Sequence, residues 1–205
     1  MVRALLAGTK TQTRRLMPGQ EYLRQAYDPI VSGTRIYNYA AEEIISKAPI
    51  SVGDRLWCRE TWSGVHSFRD TPPSLRQSVM TQDGPILRDD IWFWADGNPD
   101  GGDYERPRPG IHMPRWSSRL TLTVTDVRVQ RLQDISEDDA RAEGCPFTHD
   151  GRQYDPPAPD VDSWQGYGRA SFCLLWDSIN GAGSWEANPW VAAYTFTVEK
   201  RNIDA

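Results

Sequence analysis

The first twenty residues hold Arg3, Lys10, Arg14 and Arg15 and no acid, although the whole chain carries a formal net charge of −5. Most acids lie instead in the stretches 83–105, 134–143 and 150–162. A local basic site on an acidic body suits a small or short ligand better than a long polymer. It does not suit a long duplex, because holding a polymer by phosphate neutralisation needs a basic balance over a wide surface. A second set of residues with usable chemistry is Arg115-Trp116 with Arg119. An exposed indole beside guanidiniums can stack on a base while the arginines pair with phosphate. The alternative for the same residues is that Trp116 packs the end of a barrel and the arginines pair with nearby aspartates. Trp57, Trp62, Trp92 and Trp94 read as core or rim packing, and Glu60, next to Arg59, faces either a cleft or solvent. Trp57 and Glu60 are accordingly kept as candidate ligand contacts.

Other chemistries find no support. His66, His112 and His149 are scattered, with no i, i+4 pair and no carboxylate at ligand spacing, so no metal site and no cofactor is expected. Lys10-Thr11 lacks the upstream glycine spacing of a phosphate-binding loop. Cys58, Cys145 and Cys173 are an odd count without a C-x-x-C pair, which indicates neither a disulfide framework nor zinc. The apolar runs are too short to span a bilayer and the N-terminus has no signal-peptide core, so no membrane association is expected and the location is expected to be cytoplasmic.

The elements that must position these residues follow from their periodicity. Residues 2–7 read as the end of a helix stopped by Gly8, and the Thr/Arg-rich run 9–16 as an extended segment. A short helix is expected near 40–47, a strand over 55–62 after the turn at Val52-Gly53-Asp54, and a short aromatic strand over 91–95. Residues 119–132 give the clearest strand pattern, with a change of register at Asp126. Ser136 and Asp139 occupy N-cap and capping-box positions of a helix ended by Gly144 and Pro146. Phe172, Leu175, Trp176 and Ile179 mark one face of a helix over 169–179, and 190–198 is a closing strand. The 16 glycines and 15 prolines, with a hydrophobic fraction of 39%, predict long irregular segments on a modest core, in which 9 tryptophans supply much of the buried area. The expectation is one α+β, mostly-β domain over 1–205, a small barrel with flanking helices and two loop-rich insertions at about 63–110 and 148–168.

Four blocks in order carry a family likeness: ALLAGTKTQTRRL (4–16), VGDRLWCRETW (52–62), IHMPRWSSRLTLTVTDVRVQRLQDISEDDARAEG (111–144) and FCLLWDSING with WEANPWVAAYTFTV (172–198). Together they resemble the ASCH family, and in particular its bacteriophage and prophage branch. The resemblance spans nearly the whole chain apart from the two insertions. It implies a PUA-like barrel, a cleft beside the first helix, and RNA or a modified nucleoside as partner. Relatives of that branch begin several residues before the methionine that is Met1 here, so either the barrel lacks one edge strand or the start lies upstream.

Small bacterial members similar to this chain remove the acetyl group from N4-acetylcytidine, and their motif positions fall on Lys10, Thr13 and Glu143, with Arg15 at a neighbouring family arginine. Such a hydrolysis needs a nucleophile, a base and an acid for the leaving amine. The resemblance implies that Thr13 supplies the hydroxyl, Lys10 the base, and Glu143 a proton shuttle or a hold on the base. A lysine serves as a base only where burial or a neighbouring cation favours its neutral form, and Arg14 and Arg15 are near enough in sequence to be such cations. Side chains alternate along an extended segment, so a turn at 9–12 is required to bring Lys10 and Thr13 together. The plainer alternatives are a solvated lysine capping a helix and an ordinary strand threonine. A glutamate near a helix C-terminus, opposed by the macrodipole, hints at a functional reason for Glu143. Three readings follow: a module binding RNA or a nucleoside through Lys10, Thr13, Arg15 and Glu143; a hydrolase in the same cleft, either an N4-acylcytidine amidohydrolase or a ribonuclease; and a phage protein-interaction module acting through its insertions.

Overall fold

The computed structural model describes residues 1–27, 38–145, 147–149, 152–154 and 167–205. Much of the expected insertion at 148–168 therefore lies outside the described residues. In chain order the first elements are α1 (Val2–Leu6), β1 (Gln12–Leu16), α2 (Gln20–Tyr27) and α3 (Asn38–Ser46). Five short strands follow: β2 (Arg55–Trp57), β3 (Trp62–Gly64), β4 (Val79–Thr81), β5 (Gly84–Ile86) and β6 (Ile91–Phe93). The chain ends with β7 (Thr121–Arg131), α4 (Glu137–Ala142), β8 (Phe147–His149), β9 (Arg152–Tyr154), α5 (Tyr167–Asn180) and β10 (Trp190–Glu199). This is an α+β, mostly-β chain. It falls into two compact units, the first built from residues 3–54 and 123–197 with Met1, the second from 55–122 and 198–205.

In the first unit, α1 stops where the sequence predicts. Gly8 adopts φ 74°, a left-handed conformation that costs glycine little, and the N–H groups of Thr9 and Lys10 both donate to Ala4 O, at 2.9 and 3.1 Å. The cap turns the chain into β1, which pairs antiparallel with β10 from Gln12↔Thr195 to Leu16↔Val191. The strand order is β1-β10-β7, with β1 outermost. On β7, Val124 and Val127 are buried while Thr125 and Asp126 between them are exposed, the two-residue step that shifts the alternation at Asp126.

The core of this unit joins Leu132, Ile135, Ala140, Cys145, Phe172, Trp176 and Val191, with Trp185 packed against it. Phe172 and Trp176 are one turn apart on α5, so their rings stack along the inner face with centroids 5.9 Å apart. Ser136 Oγ accepts the Asp139 N–H at 3.0 Å, the N-cap expected for α4. The second half of the expected capping box is not made, because the Asp139 carboxylate is engaged by Arg14, Gln12 and Arg128 instead.

In the second unit the continuous strand expected over 55–62 is two strands. Cys58 N–H donates to Leu120 O beside the start of β7, after which the chain leaves that ladder. Glu60 N–H meets the Met113 sulfur at 3.3 Å, and pairing resumes in another ladder, with Trp62↔Phe93 to Gly64↔Ile91. Glu60 sits at the break. Its buried carboxylate meets the Arg119 guanidinium at 2.9 Å through both oxygens at the point where the chain passes from one ladder to the other. The stretch 63–110 is rich in loops and turns, as expected, with short elements set into it. It holds the β3–β6 ladder, the β4–β5 hairpin and single-turn 3-10 helices. Its centre is the buried Arg76, which lies over the Trp62 and Phe68 rings and is bonded to Glu105, Thr71 O and Phe68 O.

Among the described residues no helix is long and apolar enough to cross a membrane, and no group of three His, Cys, Asp or Glu could hold a metal ion.

Candidate functional site

A pocket of about 520 Å³ opens in the first unit, lined by Lys10, Thr13 to Leu16, Glu143, Gly144 and, from α5, Phe172, Leu175, Trp176, Ile179 and Asn180, with Met1 at its margin. This volume is in the range that holds a small organic ligand. The floor is an ionic network built where the turn after α1 meets the end of α4. Lys10 forms an isolated bridge with Glu143, and Thr11 N–H donates to Ala142 O at 2.8 Å. Gly144 permits this close approach, since a Cβ there would come within 2.8 Å of Lys10 Cβ and 2.9 Å of Ala4 Cβ.

The Lys10 ammonium donates to three oxygens, Gln12 O at 2.8 Å, Glu143 O at 2.7 Å and Glu143 Oε2 at 2.8 Å. The other Glu143 oxygen takes Arg14 Nη1 at 3.1 Å. Arg14 further donates to Gln12 Oε1 at 2.6 Å and to Asp139 Oδ2 at 2.9 Å, and its guanidinium lies 5.7 Å from the Phe172 centroid. Lys10, Arg14 and Glu143 are all buried. Asp139 and Glu143 are four residues apart and so project from the same side of α4 and its C-cap toward β1. Two donors remain unmatched within the pocket walls: Arg14 Nε and the Trp176 indole N–H are buried without a partner.

The alternation along β1 sorts the remaining residues. Phe196 N–H donates to Thr11 O and Met17 N–H to Trp190 O. With the register of the pair, these bonds make the odd-numbered residues of β1 those whose main chain faces β10. The N–H and C=O groups of Gln12, Arg14 and Leu16 therefore point off the open edge of the sheet. Their side chains share the face covered by α4 and α5, whereas Thr13 stands opposite Tyr194 on the other face. The pocket takes in four consecutive residues of the strand, so it runs along this edge and not over one face. Thr13 reaches the pocket, but its hydroxyl is not part of the Lys10–Glu143–Arg14 network. Arg15 is exposed, and its guanidinium folds back to donate to Arg14 O at 3.2 Å.

The electrostatics of Asp139 give a pH dependence. Burial pushes its carboxyl up, but bonds from Arg128 and Gln12 and the charge of Arg14 outweigh this and hold it below the ordinary 3.8. A carboxyl lowered in the folded state contributes stability that is fully present above its unfolded pKa and is lost as pH falls through the folded one. Asp139→Asn is therefore expected to melt below the parent near neutrality, with the gap closing from about pH 4 downward. Melting temperatures across that range check this, and a gap that widens on acidification contradicts it. Beneath the same network, burial first and the Glu143 charge second push the Cys145 thiol up to about 12, so this cysteine is a core residue and not a nucleophile.

The structure thus gathers Lys10, Thr13, Arg14, Arg15 and Glu143 around one pocket. The remaining candidates lie in the second unit. Trp57 is half-buried, with the Arg59 guanidinium 4.7 Å from its ring centroid. Glu60 is buried against Arg119. Arg119 also donates to both oxygens of Asp96 and lies 4.1 Å from the Phe93 centroid; bonds to Glu60 and Asp96 outweigh the effect of burial and raise its pKa. Arg115 is bidentate on Asp204, and the ring of Trp116 is covered by Arg88 at 5.1 Å. Arg119 and Arg115 both have carboxylate partners, so a phosphate would have to displace one.

Sequence reasoning did not assign Phe172, Trp176, Gln12 or Asp139 to a site. The i, i+4 spacing of Asp139 and Glu143, opposite a run rich in Arg, is the signal that could have found Asp139. The aromatic pair on α5 reads as core from sequence, and it is core; it also walls the pocket. Comparison with protein-family models, curated proteins and solved structures gives no match to this chain.

Proposed function

We propose that the first unit binds RNA or a nucleoside, plain or modified, in the pocket beside α1, and that the chain is an ASCH-type protein with a PUA-like barrel. The observation that carries this reading is the make-up of the pocket, which combines the apolar surfaces of Phe172, Leu175, Trp176 and Ile179 with Lys10, Arg14 and Arg15 around a single lining carboxylate. An aromatic wall accepts a base by stacking and a cationic rim accepts oxygen-rich groups.

Binding is favoured over base catalysis by the state of Lys10. A general base must turn its nitrogen toward the reacting proton, and this nitrogen is turned to three protein oxygens, Gln12 O, Glu143 O and Glu143 Oε2. Thr13, the hydroxyl that would attack, stands on the opposite face of β1 from Arg14. The hydrolase reading keeps one point in its favour, the direct Lys10–Glu143 contact at 2.8 Å in the pocket that Thr13 also lines.

The test is a panel of nucleosides, acylated nucleosides and short RNAs, assayed by calorimetry for binding and by chromatography for turnover. The binding reading expects saturable binding without product, weakened about tenfold or more in Lys10→Ala, which removes a charged donor that fixes the pocket floor. Released acetate or cleaved RNA that disappears in both Lys10→Ala and Thr13→Ala would establish the hydrolase instead.

A further inference from the structure

The ionisable groups of the pocket do not balance. Lys10 and Arg14 are both held by Glu143, and Arg14 is also held by Asp139. The other Asp139 oxygen is taken by Arg128. Both carboxylates of this network are thus engaged, Glu143 by two buried cations and Asp139 by the buried Arg14 and the exposed Arg128. Arg15 is the lining cation left over: among the described residues its guanidinium meets a single carbonyl, Arg14 O, and no carboxylate. A guanidinium has five N–H donors in a planar fork, so most of this exposed group is still available.

The location of that fork matters as much as its charge. By folding back onto Arg14 O, Arg15 is held at the open edge of β1. The register aims the Arg14 and Leu16 N–H groups off the same edge, which runs along the pocket. Two of the three edge carbonyls are already used, Gln12 O by Lys10 and Arg14 O by Arg15, which leaves Leu16 O as the remaining acceptor. What this edge presents to a ligand is therefore mainly donors: a guanidinium fork and main-chain N–H groups, a combination suited to the oxygens of a tetrahedral anion.

We propose that the pocket is specific for a nucleotide over a neutral nucleoside: the phosphate binds to Arg15 and to the Arg14 and Leu16 N–H groups on the open edge of β1, and the base lies against Phe172, Leu175, Trp176 and Ile179. The inference rests on the reading of this pocket as a nucleoside site and adds the anionic anchor to it. The shared chemistry is a base carrying a phosphate, whether supplied by a free mononucleotide or by one residue of an RNA strand.

The experiment is calorimetry of the full chain with the four ribonucleosides, their 5′-monophosphates, a short oligoribonucleotide and inorganic phosphate, at low and moderate salt, for the parent, Arg15→Gln and Arg15→Lys. Arg15 is exposed and outside the buried network, so both variants are expected to keep the parent melting temperature. The expected result is at least one monophosphate bound about tenfold or more tightly than its nucleoside, an advantage that shrinks with salt. Arg15→Gln weakens the monophosphate about tenfold more than it weakens the nucleoside and so removes the advantage, and Arg15→Lys restores part of it, since it keeps the charge but not the fork. A strand that binds with the Arg15 dependence where mononucleotides bind tenfold less well identifies RNA as the source of the phosphate and supports the proposal. Equal affinity for nucleoside and monophosphate, or a ratio untouched by Arg15→Gln, overturns it while leaving the nucleoside reading in place. Inorganic phosphate bound as tightly as any nucleotide, with no contribution from a base, overturns both readings together.

Discussion

Replacing Glu143 with alanine is expected to lower the folding stability by about 3–5 kcal/mol, the range for removing one partner of a buried ion pair. Two cations rely on this carboxylate, Lys10 at 2.8 Å and Arg14 at 3.1 Å, and the side chains of all three are no more than 6% exposed. The desolvation cost of both cations stays after the substitution, while one acceptor is withdrawn from each. Asp139 still holds Arg14, but Lys10 is left with two carbonyls, whose dipoles do not replace a charge. Adding Lys10→Met to Glu143→Ala is expected to recover part of the loss, because the stranded ammonium is then gone. Urea unfolding checks both, and a loss below about 1 kcal/mol in the single variant would mean that the pair behaves as a solvent-exposed one.

The second large effect lies in the other unit. Arg76→Ala is expected to cost about 3–5 kcal/mol, since its side chain is 1% exposed and the Glu105 carboxylate beneath it is 4% exposed. Arg108 stays on Glu105 at 2.7 Å, so the carboxylate is not wholly orphaned. The loss adds the contacts to Thr71 O and Phe68 O and the stacking on Trp62 and Phe68. Near-ultraviolet circular dichroism of the tryptophans and denaturant unfolding report it. A variant as stable as the parent would show that the guanidinium is not the centre of this unit.

The elements set by local rules were legible in the sequence. The stop of α1 at Gly8, the N-cap of α4 at Ser136, the strand around 121–131 with its shift at Asp126, the helix carrying Phe172 and Trp176 and the closing strand all depend on neighbours within a few residues. What depended on distant partners was not legible. The strand breaks at Cys58–Thr61, where Glu60 meets Arg119 and Met113, more than fifty residues away in sequence. The order hidden in 63–110 hangs on Arg76 and Glu105, two charged residues whose burial no period predicts.

The candidate site divides in the same way. The basic run at 10–15 pointed to the pocket because unbalanced charge is visible in a sequence. Placing Thr13 beside Lys10 required a turn. The chain turns at Ala7–Gly8 and not over 9–12, and strand alternation from Gln12 onward puts the Thr13 side chain on the face opposite Arg14. The aromatic wall on α5 was read only as packing, since a core face and a pocket wall share one spacing.

The central claim, that the pocket along the open edge of β1 is where the ligand binds, is tested most directly by nuclear magnetic resonance of the nitrogen-15-labelled chain titrated with nucleoside 5′-monophosphates. The claim predicts saturable shifts of the Arg14, Arg15, Leu16 and Gly144 amides and of the Trp176 indole N–H, the last assigned by its loss in Trp176→Phe. Shifts concentrated at Trp57, Arg115 and Trp116 with the pocket silent would contradict it, as would a titration that moves no resonance at all.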